Sequence, residues 1–235
     1  MTTETNPTAT PTNRFTLAPL HGPVNPLSVF ETLLKQPGQL FHEFKQGRAA
    51  AVAGSLVVVI LICLGVYGTV AGSLTGGSQL WIAPVKIILG SVLSLVICLP
   101  SLYIFLCMSG ANLSLRELSG LMLTAEGLTA TLLIGFAPVA WVFSQSTDTL
   151  AFMAFLHLAF WSVAIIFALR LLRTGVWLTG GGHGGLGVWM GIYLLVSLQM
   201  MTSLRPILGH SATFLPEKKL FFVLHWIEVL GGKIQ

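Results

Sequence analysis

The sequence predicts an all-α polytopic transmembrane bundle of about five spans, with a short amphipathic interfacial helix at each end. Three observations predict it. Of the 235 residues 54% are hydrophobic and only 9% are charged, a balance that belongs to membrane proteins. Uncharged apolar runs of about 20 residues, the length that crosses a ~30 Å hydrocarbon core as a helix, recur along the chain. These runs also lack the alternation of apolar and polar residues that a barrel strand needs.

The elements follow in order. Residues 1–25 are rich in Thr, Pro and Asn and lack the apolar block of a secretory signal, so they read as a disordered leader retained on the chain. Residues 26–48 form an amphipathic interfacial segment. Asn25 and Pro26 suit an N-cap and first helical position, and Leu27, Phe30 and Leu34 fall on one face before Pro37 and Gly38 break the helix. Leu40, Phe41 and Phe44 beside Lys45 and Arg48 then suit the lipid headgroup zone.

The spans, within residues 49–203, are Ala49 to Ala71, Ile82 to Met108, Leu118 to Phe143, Leu150 to Leu172 and Leu186 to Ser203. Pro84 and Lys86 mark the entrance of the second. Ser114 and Glu117 have the form of a capping box, which starts the third helix ahead of its apolar part. Pro100 and Pro138 each remove an intrahelical hydrogen bond and should bend the second and third helices. Small residues recur every fourth position at Gly68 and Gly72, at Gly127, Thr131 and Gly135, and at Gly187 and Gly191. That spacing lets helix backbones approach closely, within the bundle or between copies. In residues 204–235, Leu220, Val223, Leu224, Ile227 and Leu230 follow helical spacing, with Trp226, Lys218 and Lys219 as interfacial anchors.

Lys and Arg set the orientation. Lys35, Lys45 and Arg48 precede the first span, Arg116 lies in the second loop and Arg170 and Arg173 end the fourth span, whereas the first and third loops hold neither residue type. The N-terminus is therefore expected in the cytoplasm. Arg205, Lys218 and Lys219 fit a five-span chain less well, and a fifth helix that re-enters is the rival layout. The net charge of +4 is scattered over span ends, without the clustered patch that nucleic acid needs.

Several chemistries find no residues to carry them. Cys63, Cys98 and Cys107 have no metal-type spacing, haem ligation by two imidazoles would need a second deep histidine beside His157, and no zincin or nucleophile-elbow motif occurs. The glycine-rich "TGGGHGG" at Thr179 to Gly185 matches a dinucleotide pattern through glycine density alone, because spans rather than a strand flank it. No cofactor and no metal are expected.

One question remains open in the sequence: why Glu126 stands in an apolar run. An ionisable group at membrane depth is costly and faces the bundle interior or an aqueous cavity with a partner. Candidate partners are His157 of the fourth span and Gln199, Thr202 and Arg205 at the end of the fifth. Glu126 then serves as a packing and hydrogen-bonding group, as a proton or cation relay with His157, or as a general base. Its place in the first turns of its helix is expected to leave it near headgroup water.

Five spans, the N-terminal stretch "NPLSVFETLLKQPGQLFHEF", polar breaks after the second and fourth spans and a short C-terminus resemble the Yip1-type membrane proteins and their uncharacterised bacterial relatives. The likeness is one of layout and covers most of the chain from about Leu27. The tracts "SGANLSLRELSGLML", "FAPVAWVFS" and "MMTSLRPILG" are also similar to bacterial multi-pass proteins. The resemblance implies a scaffold, assembly or trafficking-type protein without catalysis, whose partners are the bilayer and other membrane proteins or further copies of itself. Eukaryotic members engage small GTPases; no GTPase-binding motif is matched here, so that property is not carried over. A small transporter or channel using Glu126 and His157 is the alternative.

Overall fold

The computed structural model describes residues 17–20, 22–73, 79–147, 150–178 and 184–203. Among these residues the chain is entirely helical: α1 (Pro26–Lys35), α2 (Pro37–Lys45), α3 (Ala49–Ser73), α4 (Gln79–Met108), α5 (Leu115–Ser146), α6 (Leu150–Leu178) and α7 (Leu186–Ser203). Helices α3 to α6 are long and apolar enough to cross a membrane, and α7 is a shorter apolar helix. At ~1.5 Å per residue, the 18 residues of α7 run about 27 Å, close to one hydrocarbon core. Arg205, Lys218, Lys219, Trp226 and the amphipathic stretch around them lie outside the described residues, as do Thr179 to His183 of the glycine-rich connector.

The packing follows the side chains. Helix α3 lies between α4 and α5, α6 packs on the far side of α5, and α7 packs on α4; α4 also touches α5, while α6 and α7 barely meet. Leu64 and Tyr67 of α3, Leu102 of α4, Leu118 and Leu133 of α5, Ala164 of α6 and Trp189 of α7 meet in one buried cluster. The outward faces are equally apolar, with Ile62, Val96, Ile97 and Phe167 all exposed. In water so continuous an apolar surface would drive association; around a transmembrane bundle it meets lipid tails.

The N-terminal segment is docked on the bundle rather than merely laid on a surface. Val29 and Leu33 of α1 and Leu40 and Phe44 of α2 pack with Val52 and Leu56 of α3 in a second cluster. The predicted face of α1 is the outer one, since Leu27 is 78% exposed and Leu34 is also exposed. Helix α1 thus has an inward apolar edge against protein and an outward one suited to the headgroup boundary. Residues 17–20 and 22–25, the described part of the N-terminal stretch, are held against the helices. Leu20 is buried, its N–H donates to Glu43 Oε1 at 2.9 Å, and Arg48 Nη2 donates to the Gly22 carbonyl at 2.9 Å. A carboxylate and a guanidinium therefore tie down backbone that composition alone marked as loose.

Local signals are obeyed at helix ends. Ser114 Oγ accepts from the Glu117 N–H at 3.3 Å, and Glu117 Oε2 accepts from the Ser114 N–H at 2.8 Å, the reciprocal pair of a capping box. Of the spaced small residues, Gly68 lies so close to Pro84 of α4 that a Cβ there would strike the proline backbone. Gly72 and Thr131 are buried, and a Cβ on Gly127 would press on Leu56 and Leu33. Gly135, Gly187 and Gly191 have no heavy atom of the described residues within 4 Å of a Cβ position, so they play no part in close packing among those residues. Two closer contacts escaped the spacing pattern: Gly120 under the Phe44 ring, and Gly175 against Leu121 and Phe41. They seat α2 on α5 and α6.

Candidate functional site

Glu126 is only 5% exposed, although its helix begins at Leu115. Side chains of α4 and α7 cover that face of α5. The two carboxylate oxygens are bound by different helices: Ser91 Oγ of α4 donates to Oε1, and Tyr193 Oη of α7 donates to Oε2 at 3.1 Å. The carboxylate thereby links three helices, and each donor replaces part of the hydration lost on burial.

These groups border a small cavity completed by Lys86 and Ser94 of α4, Trp161 of α6 and Ser197 of α7. Its space for water centres is about 10 Å³, roughly what one water requires. Lys86 is 1% exposed. It is turned inward, on a stripe of α4 that it shares with Ala83, Ile87, Ser91 and Ser94, all buried. That stripe has helical spacing and carries a cation and two hydroxyls, a pattern legible in the sequence had α4 been read face by face.

His157 belongs to a separate pair. Its Nδ1 lies 2.6 Å from Tyr67 Oη of α3, with the two rings edge to face at 5.5 Å, while its Nε2 is buried without a hydrogen-bond partner among the described residues. The structure therefore places Glu126 with Ser91 and Tyr193, and places His157 with Tyr67. Gln199 is half-buried one turn or less beyond Ser197, Thr202 sits in the last turn of α7, and Arg205 lies outside the described residues. A third polar link, also missed in the sequence, joins α7 to α4: Trp189 Nε1 donates to the Cys98 carbonyl at 3.3 Å and to Ser101 Oγ at 3.0 Å. Trp189 stacks on Tyr193 with centroids 5.3 Å apart, which positions the phenol toward Glu126.

Chemically, the cluster offers a carboxylate, an amine, a phenol and several hydroxyls around room for one water. Such a set can hold water, share protons and fix helix register. The three cysteines are free thiols, and no group of three or more His, Cys, Asp or Glu suited to a metal ion occurs among the described residues.

Fold and site together define an integral membrane helical bundle with a buried polar cluster at its helix crossings. No protein-family model, curated protein or solved structure matches the chain.

Proposed function

We propose that this protein is a non-catalytic integral membrane scaffold or assembly factor of the Yip1-type layout, seated in a bacterial cytoplasmic membrane with its N-terminus in the cytoplasm. The observation that carries this reading is how the polar side chains of the spanning helices are used. Glu126 joins α5 to α4 and α7, Tyr67 and His157 join α3 to α6, and Trp189 joins α7 to α4. Interhelical hydrogen bonds of this kind fix packing in a medium where lipid tails and leucines compete equally for contact. The cavity beside Glu126, about 10 Å³, is on the scale of a single water.

A rigid bundle of this type works through its surfaces. Gly187 and Gly191 lie on an exposed, open strip of α7 beside exposed Val188 and Ile192, which favours close approach of another helix. The docked hairpin α1–α2 offers the exposed Leu27 and Leu34 at the membrane surface. Crosslinking in native membranes followed by purification tests the reading. Recovery of discrete complexes with other membrane proteins or with further copies is expected; recovery of the isolated monomer alone overturns it.

One observation favours a second reading, a proton or cation relay: Lys86 and Glu126 border the same cavity. Vesicle reconstitution with an internal pH dye separates the two, because a relay moves protons in response to an imposed gradient and a scaffold does not.

A further inference from the structure

We propose that the outward face of α6 is a binding site for an anionic phospholipid, its phosphate held between Arg170 and Arg173 and its chains lying along Val163, Ile166 and Phe167. The inference rests on the membrane bundle alone and is independent of the scaffold reading.

Three observations converge on it. The first is position. Residues 150–169 contain no Asp, Glu, Lys or Arg, and at ~1.5 Å per residue they extend about 30 Å, one hydrocarbon core. Arg170 and Arg173 therefore stand where hydrocarbon gives way to headgroups. The second is direction. Val163, Ile166, Phe167, Arg170, Arg173 and Trp177 recur at helical spacing and are all exposed, whereas Ala164, Ala168 and Leu172 on the opposite side of α6 are buried in the core. Trp177 ends the exposed face with a side chain of the type that anchors helices in the interface.

The third is charge. Arg170 Cζ lies 5.8 Å from the centroid of the Phe167 ring, and Phe167 is on its hydrocarbon side, so the guanidinium is held over the apolar part of the face. A cation facing lipid needs a counter-charge. Helix α6 has no Asp or Glu, and neither arginine takes part in an ion pair among the described residues. This end of α6 lies beside α2 and the start of α5, since Gly175 meets Phe41 and Leu121, but the acids there are engaged elsewhere. Glu31 pairs with Lys35, Glu43 accepts from the Leu20 N–H, and Glu117 caps α5 through Ser114. A phosphate supplies the missing charge, and guanidinium groups match it through paired N–H donors. Two of them one turn apart favour a headgroup of net negative charge over a zwitterionic one, whose ammonium they repel. Among phosphates, a phospholipid also brings acyl chains to cover Val163, Ile166 and Phe167.

The experiment is solid-state NMR on the full chain, with arginine labelled at the guanidinium carbon, in bilayers of equal parts phosphatidylcholine and phosphatidylglycerol. Carbon–phosphorus dipolar dephasing reports contact with lipid phosphate, and the Arg170 and Arg173 signals are those lost in Arg170→Lys and Arg173→Lys. Strong dephasing of both is expected; dephasing of neither overturns the site and points to a carboxylate of another membrane protein as the counter-charge. Native mass spectrometry of the delipidated chain, titrated with each lipid alone, reads the preference for negative charge. Phosphatidylglycerol should be retained several-fold more strongly than phosphatidylcholine. Arg170→Gln with Arg173→Gln should erase that margin, whereas the charge-matched pair Lys45→Gln with Arg116→Gln should keep it. Equal retention of the two lipids by the wild type, or equal loss of the margin in both double variants, overturns the proposal. If the Gln pair at Arg170 and Arg173 fails to assemble, the dephasing measurement decides, because it needs only the lysine variants to assign its signals.

Discussion

Removing one hydroxyl, Tyr193→Phe, isolates the link between α7 and Glu126. The phenylalanine keeps the ring that stacks on Trp189 and the buried volume of a side chain that is 9% exposed, so the lost interaction is the 3.1 Å hydrogen bond to Glu126 Oε2. A hydrogen bond to a charged group contributes about 1.5–3 kcal/mol in proteins generally. Interhelical bonds inside membranes average about 0.6 kcal/mol and reach about 1.7, because the separated helices find other partners. The Ser91 bond to Oε1 persists, so the carboxylate is not left bare. We therefore expect a loss of about 1–2 kcal/mol, a roughly 5–30-fold shift in the folded to unfolded ratio. Reversible unfolding in bicelles, followed by steric trapping, measures it. Glu126→Gln and the double variant complete a cycle. Strict additivity in that cycle, or Tyr193→Phe indistinguishable from wild type, would refute the claim that Glu126 is a junction between α4, α5 and α7.

Other consequences are open to test by similar means. Gly68→Ala places a Cβ against the Pro84 backbone, which cannot rotate aside, so α3 and α4 must separate and stability should fall by about 1–3 kcal/mol; Gly187→Ala, whose Cβ meets nothing within 4 Å, should leave the monomer's stability unchanged in the same assay. Glu43→Ala removes the acceptor for the Leu20 N–H and the partner of Arg48. Limited proteolysis should then cut faster around residues 17–22 while the bundle unfolds as before; unchanged cleavage would argue against the tether. Glu31 accepts a hydrogen bond from Lys35 at 2.5 Å, and this bond and the ammonium charge hold its carboxyl below the ordinary value. A depressed native pKa stabilises above the unfolded value, about 4.3, and that support disappears as pH falls through the lower native one. Protection of α1 amides, taken as the exchange rate relative to the intrinsic rate at each pH, should therefore stay flat from neutral pH to about 4.3 and fall below it, and Glu31→Gln should remove that fall.

Much of the fold was legible because its signals are local. The five apolar runs appear as α3 to α7, and the Ser114 and Glu117 pair starts α5 where a capping box should. Hydropathy and capping act over one or two turns, so a single sequence contains them. The α1 face was harder to read, since Val29 and Leu33 face protein while Leu27 and Leu34 face outward, and a helix that is apolar on two sides gives no single answer to a face-by-face reading. Residues 17–20 and 22–25 were hard to read for another reason. Their composition is that of a loose segment, and the contacts at Leu20 and Gly22 come from the distant Glu43 and Arg48.

The site shows where such reading stops. That Glu126 needed an intramembrane partner followed from the cost of burying a carboxylate, and one partner was sought on the fifth apolar run, where it lies. Which residue of that run faces Glu126 depends on how α7 slides and rotates on α4, a register set by Trp189 bonding to Cys98 and Ser101. Rotation by one residue turns a helix by ~100°, enough to exchange Tyr193 for an exposed neighbour such as Ile192. Glu126 therefore has meaning as a junction only after the crossings are fixed, and the same crossings bring Lys86 and Ser197, more than 100 positions apart in the chain, onto the walls of one water-sized space.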